Sequence, residues 1–217
     1  MASTSKSRKS SQKESPGLTE LLVQELQEIH SAENQLARII PRLAKASETE
    51  SLRTAIEERA QEGEQIIADV EAALEALGES PGRKKNVAAE GLVNDMREHL
   101  QEIESGPALD AVLIAALQKT EHYCIAAWGT TKALGQAAEQ EELVSAMERA
   151  LEEGRAYDER LTQLAEEEIT PLLVARASEE ESGEEAEAEE DESEDEAEQI
   201  VAKPRNRSSN TGVRPRG

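Results

Sequence analysis

The sequence predicts an all-α fold, and three observations support that prediction. Apolar residues recur at spacings of three and four along four long segments, which is the period of one helix face. No segment shows the period-two alternation or the turn dipeptides that mark strands and hairpins. Glycine and proline stand between the periodic segments, where they favour turns. The folded part is therefore predicted to be a bundle of four long helices with one shorter helix.

Length and composition restrict the class of protein further. A chain of 217 residues suits one domain with tails, and a single cysteine excludes an internal disulfide and fits a reducing compartment. The formal net charge of −23 argues against nucleic-acid binding through a basic patch. No apolar run approaches the roughly 18 residues of a membrane span, and the first residues lack the apolar core of a secretory signal. We expect a cytoplasmic protein with neither a membrane nor a nucleic-acid partner.

The charges divide the chain into three parts. Residues 1–17 form a basic, serine-rich arm that is predicted to be disordered, and residues 18–175 hold the helical domain. Residues 176–217 are predicted to be disordered too, because they have too few apolar side chains to offset the entropy of ordering. Within them, residues 179–198 carry fourteen Asp and Glu and no Lys or Arg, and a basic Pro/Arg segment follows. The acidic tract could contact basic partners or its own basic ends.

The first two helices form the first half of the bundle. The first begins at Leu18, and Pro41 is predicted to kink or end it. The second spans about Thr49 to Leu77, with Thr49 as a plausible cap and Gly78 as a plausible stop. One face of the first helix is lined by residues at helical spacing, and one of these is a carboxylate: Leu21, Leu22, Leu26, Ile29, Glu33, Leu36, Ile40 and Leu43.

The remaining helices follow a loop that contains proline and glycine. A shorter helix is predicted over about Val87 to Ile103. The run Ser105-Gly106-Pro107 ends it and starts a long helix over about Ala108 to Gly135. The last helix is predicted over about Glu139 to Leu173.

Each long helix has a polar break near its middle. In an antiparallel bundle these positions meet in one layer of the core, where carboxylates from facing helices can hold two iron or manganese ions. In a glutamate-rich chain, mid-helix acids could equally be solvated surface charges. The breaks, in chain order, contain Glu33, then Arg59 and Glu62, then Glu121 and Cys124, and finally Gly154 and Asp158.

Several of these segments resemble one known family. The run EHYCIAAWGTTKALG is similar to the EHYEIAAYGT signature of the YciE/YciF-type ferritin-like stress-response family. The runs ELQEIHSAENQL, IEERAQEGEQIIADVEAALEALG and LEEGRAYDERLTQLAEE resemble its other helices in the same order, over roughly residues 18–168. The resemblance implies a ferritin-like antiparallel four-helix bundle with a shorter helix between helices two and three. It also implies a dinuclear metal site and a homodimer.

The ligand positions of the family are only partly retained. Glu33, Glu62 and Glu121 match its carboxylates. Arg59 stands where the family has a histidine, and Cys124 replaces the second Glu of the signature.

In the last helix Gly154 replaces an acid, with Glu153 and Asp158 beside it. An arginine cannot donate an electron pair to a metal, glycine offers no ligand, and a thiolate is a soft substitute for a bridging carboxylate.

Two functional hypotheses result. In the first, the protein is a non-catalytic stress-associated protein without a cofactor, in which Arg59 and the carboxylates Glu33, Glu62 and Glu121 form a structural core layer. In the second, it binds iron or manganese and handles peroxide or oxygen. The ligands would then be Glu33, Glu62, Glu121, Cys124, Glu153 and Asp158.

Three neighbouring residues are assigned structural roles. His122 points about 100° away from Glu121 around the helix, so it is predicted to be a hydrogen-bonded histidine. His30, where the family has a tyrosine, is predicted to join the polar network of the core. Cys124 is predicted to be a buried, inert thiol.

Overall fold

The fold is all-α, as predicted. The computed structural model describes residues 15–179, and no strand occurs among them. Helical conformation continues past the last named turn, over residues 170–179. The elements are α1 (Leu18–Ala46), α2 (Glu50–Ala76), α3 (Val87–Glu102), α4 (Pro107–Ala137), α5 (Glu141–Leu164) and a π-helical turn at Ala165–Ile169. The predicted arm at 1–17 and tail at 176–217 lie almost entirely outside the described residues.

The long helices form a ring of four, with α1 next to α2, α2 next to α5, α5 next to α4, and α4 next to α1. Short connections make α1–α2 and α4–α5 antiparallel hairpins. Ion pairs from Asp69 to Arg149 and from Glu58 to Arg160 show that α2 and α5 also run antiparallel. The α3 helix packs on α1 and α4. It begins beside the middle of α1, so the loop before it and α3 together carry the chain from the end of α2 to the start of α4. This is the predicted position of the shorter helix.

Of the two outcomes predicted at Pro41, a kink or an end, the end does not occur. Helix α1 continues through the proline to Ala46. Proline lacks the N–H that would bond to the carbonyl of Ala37, and both residues are exposed, so this carbonyl is open to water. Ile39, Ile40 and Leu43 are buried around the same turn, and their packing keeps the helix continuous.

The α1–α2 connection is fixed by a carboxylate from α4. Asp110 is fully buried, and its oxygens accept hydrogen bonds from the backbone N–H groups of Glu48 (3.1 Å) and Thr49 (2.9 Å). Thr49 is the N-cap of α2, but its own side chain makes no capping bond. Asp110 therefore lies where an acid is favoured, at the positive end of a helix.

Asn86 fixes the start of α3 in the same manner. It is buried, and its side-chain oxygen caps α3 by accepting from Ala89 N–H at 3.0 Å. Its side-chain amide donates to the Glu28 carbonyl at 3.1 Å and to the Tyr123 hydroxyl at 2.5 Å. One residue thereby joins α3 to both α1 and α4.

Among the described residues, none of the helices is both long enough and apolar enough to cross a membrane.

Candidate functional site: a buried arginine–carboxylate layer

The polar breaks of α1, α2 and α4 meet around one guanidinium. Arg59 of α2 is 2% exposed, as are Glu33 of α1 and Glu121 of α4. Arg59 Nε donates to Glu121 Oε2 at 2.8 Å, and Nη2 donates to both oxygens of Glu33 at 3.2 Å. The three side chains form the arginine layer, a charged cluster inside an otherwise apolar core. Charge-assisted bonds of this type are stronger than neutral ones.

Helical spacing brings these residues inward. On α2, Arg59 shares a face with Ile56, Gly63 and Ile66, all of which are buried. On α1, Glu33 lies between the buried residues Ile29 and Leu36. The surrounding apolar residues fix the rotation of each helix, and this rotation turns the charged side chains into the core.

Two glycines make room for the layer. A Cβ on Gly63 would stand 3.0 Å from Arg59 Nη1 and 3.3 Å from Glu33 Oε2. A Cβ on Gly154 of α5 would stand only 2.6 Å from Glu121 Oε1 and 2.6 Å from the Trp128 ring. No side chain fits at Gly154 without moving the layer, so α5 contributes close backbone packing and no polar group there.

Trp128 and Cys124 complete the surroundings of Arg59. The guanidinium carbon lies 5.6 Å from the centre of the Trp128 ring, which is within cation–π range. Cys124 Sγ is 4.0 Å from Arg59 Nη2. Burial and the neighbouring Glu33 raise the pKa of Cys124 well above its usual value, so the cysteine is a neutral thiol. The predicted burial of Cys124 is confirmed, and its lack of reactivity stays a prediction.

One guanidinium faces two carboxylates, and the electrostatics reflect this imbalance. Burial raises the pKa of Glu121 to about 7 although the contacts with Arg59 oppose the shift, and the charge of Glu33 contributes to it. Burial lowers the pKa of Arg59, but the attraction of Glu33 and Glu121 outweighs it and leaves that pKa well above the ordinary value. The arginine therefore stays charged, and Glu121 is partly protonated near neutral pH.

Some buried polar atoms near the layer have no hydrogen-bond partner among the described residues. Within the layer these are Arg59 Nη1 and Glu121 Oε1. On the α5 side the hydroxyl of Tyr157 is also unpaired, and burial raises its pKa. The layer is tightly packed but its hydrogen bonding is incomplete on the side that faces α5.

The predicted residues of α2 and α5 lie at the edge of the layer. Glu62 is half-buried and makes no hydrogen bond to Arg59 among the described residues, because Gly63 takes the inward position beside it. Burial raises the pKa of Glu62, Arg59 partly offsets this, and Glu153 adds to it. Glu153 is also half-buried. The structure thus brings Glu33, Arg59 and Glu121 together and leaves Glu62 and Glu153 outside.

The histidines lie away from the layer. His122 is exposed and faces Asp158 Oδ2 at 3.3 Å, so this acid serves a surface pair. His30 does not join the core network as predicted. Its Nε2 lies 2.8 Å from Glu71 and 3.2 Å from Asn34, toward the α1–α2 surface.

The family model described as "Domain of unknown function (DUF892)" matches residues 17–173. The chain belongs to this family. Protein YciF of Escherichia coli (strain K12) is 34% identical over 149 residues, which is 68% of this chain and 90% of that protein. The resemblance to the YciE/YciF-type family is therefore confirmed.

Two solved structures are similar to this chain. The crystal structure of the E. coli stress protein YciF has a TM-score of 0.65 at 33% identity, and the match covers 69% of this chain and 94% of that chain. YcfI from Rhodopseudomonas palustris has a TM-score of 0.64 at 26% identity, covering 68% and 94%. The helical bundle is thus shared along nearly the whole length of both.

The dinuclear metal centre that the resemblance implies does not fit the residues of this chain. The guanidinium of Arg59 fills the space between Glu33 and Glu121 where a shared cation would bind, and it offers no electron pair. Gly154 lacks a donor and leaves no room for one. Within residues 15–179, no group of three or more His, Cys, Asp and Glu side chains is arranged to hold a metal ion.

Sequence reasoning missed the residues that shape the layer. Gly63 and Trp128 both contact Arg59, but a glycine and a tryptophan in an apolar run carry no signal of a polar site. A spacing of four from Arg59 places Gly63 on the same helix face, but the spacing of three places Glu62 there as well, so spacing from Arg59 does not separate them.

Proposed function

We propose that this protein is a non-catalytic, stress-associated member of its family, in which the arginine layer replaces a metal centre as the polar core of the bundle. The observation that carries the proposal is the position of the Arg59 guanidinium, buried between two carboxylates that would otherwise be ligands. A fixed positive charge there supplies what a cation would supply electrostatically, without redox chemistry.

The named relatives support the stress-associated and structural parts of the proposal. E. coli YciF is described as a stress protein, and YcfI is described as a proposed structural protein. Cytoplasmic location and a homodimer belong to the same proposal. The first rests on the single, buried cysteine and the second on the family resemblance. Light scattering of the purified chain at several concentrations tests the homodimer, and a monomer throughout would contradict it.

Metal content tests the proposal directly. The full chain is expressed in medium supplied with iron and manganese, purified without chelators, and measured by mass spectrometry of the metals. We expect no stoichiometric metal. About two ions per chain, the content of a carboxylate-bridged centre, would overturn the proposal and favour the peroxide- or oxygen-handling alternative.

Arg59→His is the matched variant, because it removes the guanidinium and adds a metal donor at the same position. Metal in this variant and not in the unchanged chain would identify Arg59 as the residue that excludes the cation. Equal, stoichiometric metal in both proteins would show that Arg59 does not occupy the ligand space.

A further inference from the structure

A second charged feature lies on the surface. It is basic, whereas the chain as a whole is acidic. We define the basic surface as Arg38, Arg42 and Lys45 of α1 together with Arg83, Lys84 and Lys85 of the loop between α2 and α3. The three α1 residues follow at spacings of four and three, so they share one face, and all six are exposed. After Glu33, α1 has no acidic residue.

Part of this surface is a groove of about 350 Å³. One wall comes from α1, with Asn34, Gln35 and Arg38, and the other is the loop from Pro81 to Lys85. The loop is held in place from below, because Gln35 Nε2 donates to the Asn86 carbonyl at 3.0 Å. Asn86 N–H donates to Ser31 Oγ at 2.8 Å. Hydrogen bonds from α1 therefore fix the backbone at the end of the loop that carries the basic side chains.

Most of the positive charge on the basic surface is not compensated. Lys84 pairs with Glu28, Lys85 with Glu90, and the groove residue His30 with Glu71. Within residues 15–179, no side-chain hydrogen bond or ion pair is made by Arg38, Arg42, Lys45 or Arg83. This is unexpected in a chain with 47 acidic and 24 basic residues, where other arginines such as Arg149 and Arg160 find acidic partners.

We propose that the basic surface is the docking site of the acidic tract of the same chain, residues 180–198. The tract matches in charge, because thirteen of its nineteen residues are Asp or Glu and none is basic. Arginine is also the better partner for them, since its planar fork binds a carboxylate with two parallel hydrogen bonds.

The tract is also within reach. Ser51 Oγ donates to Glu168 at 2.5 Å, so the chain passes the end of the bundle at which α1 finishes and α2 starts. From that end, Lys45, Arg42 and Arg38 lead along α1 to the groove, about 10 Å further on at 1.5 Å per residue. Twenty extended residues span up to about 65 Å, which exceeds the length of any helix in the bundle. Tethering places the carboxylates at an effective concentration on the order of millimolar.

Docking of the tract involves surface residues only. It does not depend on the arginine layer or on the proposed function.

Paramagnetic broadening in the full chain tests the proposal. Ser193→Cys provides a site for a nitroxide, and the one native cysteine, Cys124, is buried. The chain without the new cysteine, treated identically, gives the background. We expect the nitroxide to broaden the amide signals of Arg38 and of residues 83–85 at low salt. The broadening should be lost at about 1 M NaCl, where the Debye length is about 3 Å.

The double variant Arg38→Glu/Arg83→Glu should lose the broadening, and Arg155→Glu should keep it. Arg155 is the matched control, because it is exposed on α5 and also has no side-chain partner among the described residues. Unchanged broadening in the double variant, or none near the groove in the parent chain, would overturn the proposal.

A mixed sample distinguishes docking of the tract within one chain from docking between two copies. Isotope-labelled chains without nitroxide are combined with unlabelled chains that carry it. The reference is the chain that carries both the isotope label and the nitroxide, called the doubly labelled chain. If broadening in the mixture is as strong as in this reference, the tract docks between copies, and the intramolecular proposal is overturned. Absence of broadening in the mixture, with broadening in the doubly labelled chain, supports the proposal.

Discussion

Two sets of buried carboxylates in this bundle are stabilised in different ways. Glu33 and Glu121 lie in the middle of the core and depend on the side chain of Arg59 from a third helix. Asp110 lies near the end of the bundle, fully buried, and accepts from two backbone N–H groups at the start of α2. The first site uses the charge of a long side chain, and the second uses the backbone N–H groups of a helix terminus.

The difference predicts how each site responds to change. Only a substitution by proline removes a backbone N–H, so any other single substitution at the site of Asp110 removes at most the carboxylate itself. In the arginine layer, one substitution at position 59 removes the partner of two buried acids at once. We therefore expect the arginine layer to be the more sensitive of the two sites.

The largest effect is expected for Arg59→Leu. It leaves Glu33 and Glu121 buried without a counter-charge, and loss of one partner from a buried ion pair costs about 3–5 kcal/mol. Urea unfolding at pH 7 measures the loss. Arg149→Leu is the control, because Arg149 pairs with Asp69 on the surface, where such pairs contribute about 0–1 kcal/mol. Equal stability losses in the two variants would show that the Arg59 contacts contribute no more than a surface pair.

The second effect is a change in the unfolding free energy with pH, caused by Glu121. Its pKa is raised from 4.5 to about 7 in the folded protein, chiefly by burial. Between these values the folded state holds a proton that the unfolded chain has lost, so this group's contribution to stability falls as the pH rises. Glu121→Gln stays neutral at every pH. The stability of the parent relative to this variant should therefore decrease from pH 5 to pH 8, by up to about 3 kcal/mol.

Unfolding free energies of both proteins across that range provide the measurement. A constant difference between parent and Glu121→Gln would mean that Glu121 titrates alike in the folded and unfolded states. A difference that grows in favour of the parent as the pH rises would mean that Arg59 overcomes the desolvation of Glu121.

Asp110→Ala tests the second carboxylate site. It removes the acceptor of the N–H groups of Glu48 and Thr49, of which Thr49 is buried, and we expect a loss of about 2 kcal/mol. Thermal unfolding gives the comparison with Asp95→Ala, an acid of α3 that is partly exposed. If Asp110→Ala were no more destabilising than Asp95→Ala, water would be replacing the carboxylate at the start of α2.

The smallest effect is expected from one added methyl group. Gly154→Ala places a Cβ 2.6 Å from Glu121 Oε1 and from the Trp128 ring, and such overpacking costs about 1–2 kcal/mol. Gly129→Ala is the control, because no atom lies within 4 Å of the added Cβ and alanine favours a helix by about 0.5–1 kcal/mol. Stabilisation by both substitutions would show that the layer has spare room beside α5.

Much of the fold was predictable because helix formation depends on local pattern. The spacing of apolar residues predicted every helix, and Gly78 ends α2 with the positive φ of 74° that such a stop needs. At Pro41 local rules allow either a kink or an end. The helix does not end there, and the residues around the proline are buried.

The site was predictable in part. Polar breaks in apolar stripes pointed to Glu33, Arg59 and Glu121, because charged groups rarely stand on a buried face without a partner. The same pattern did not separate Glu62 from Gly63, since a shift of one residue, about 100° around the helix, decides which of them faces the core. It also gave Gly154 no role beyond a missing ligand, although its backbone packs against Glu121.

By itself, therefore, the sequence determined the helices, their inner faces and the presence of polar residues at mid-helix. Only the tertiary structure decided which of those residues meet, that one guanidinium serves both Glu33 and Glu121, and that Asp110 caps a helix 61 residues away. The physical reason is range. Helical periodicity acts over a few residues, whereas the pairing of buried charges depends on how four helices rotate and slide until their apolar faces pack.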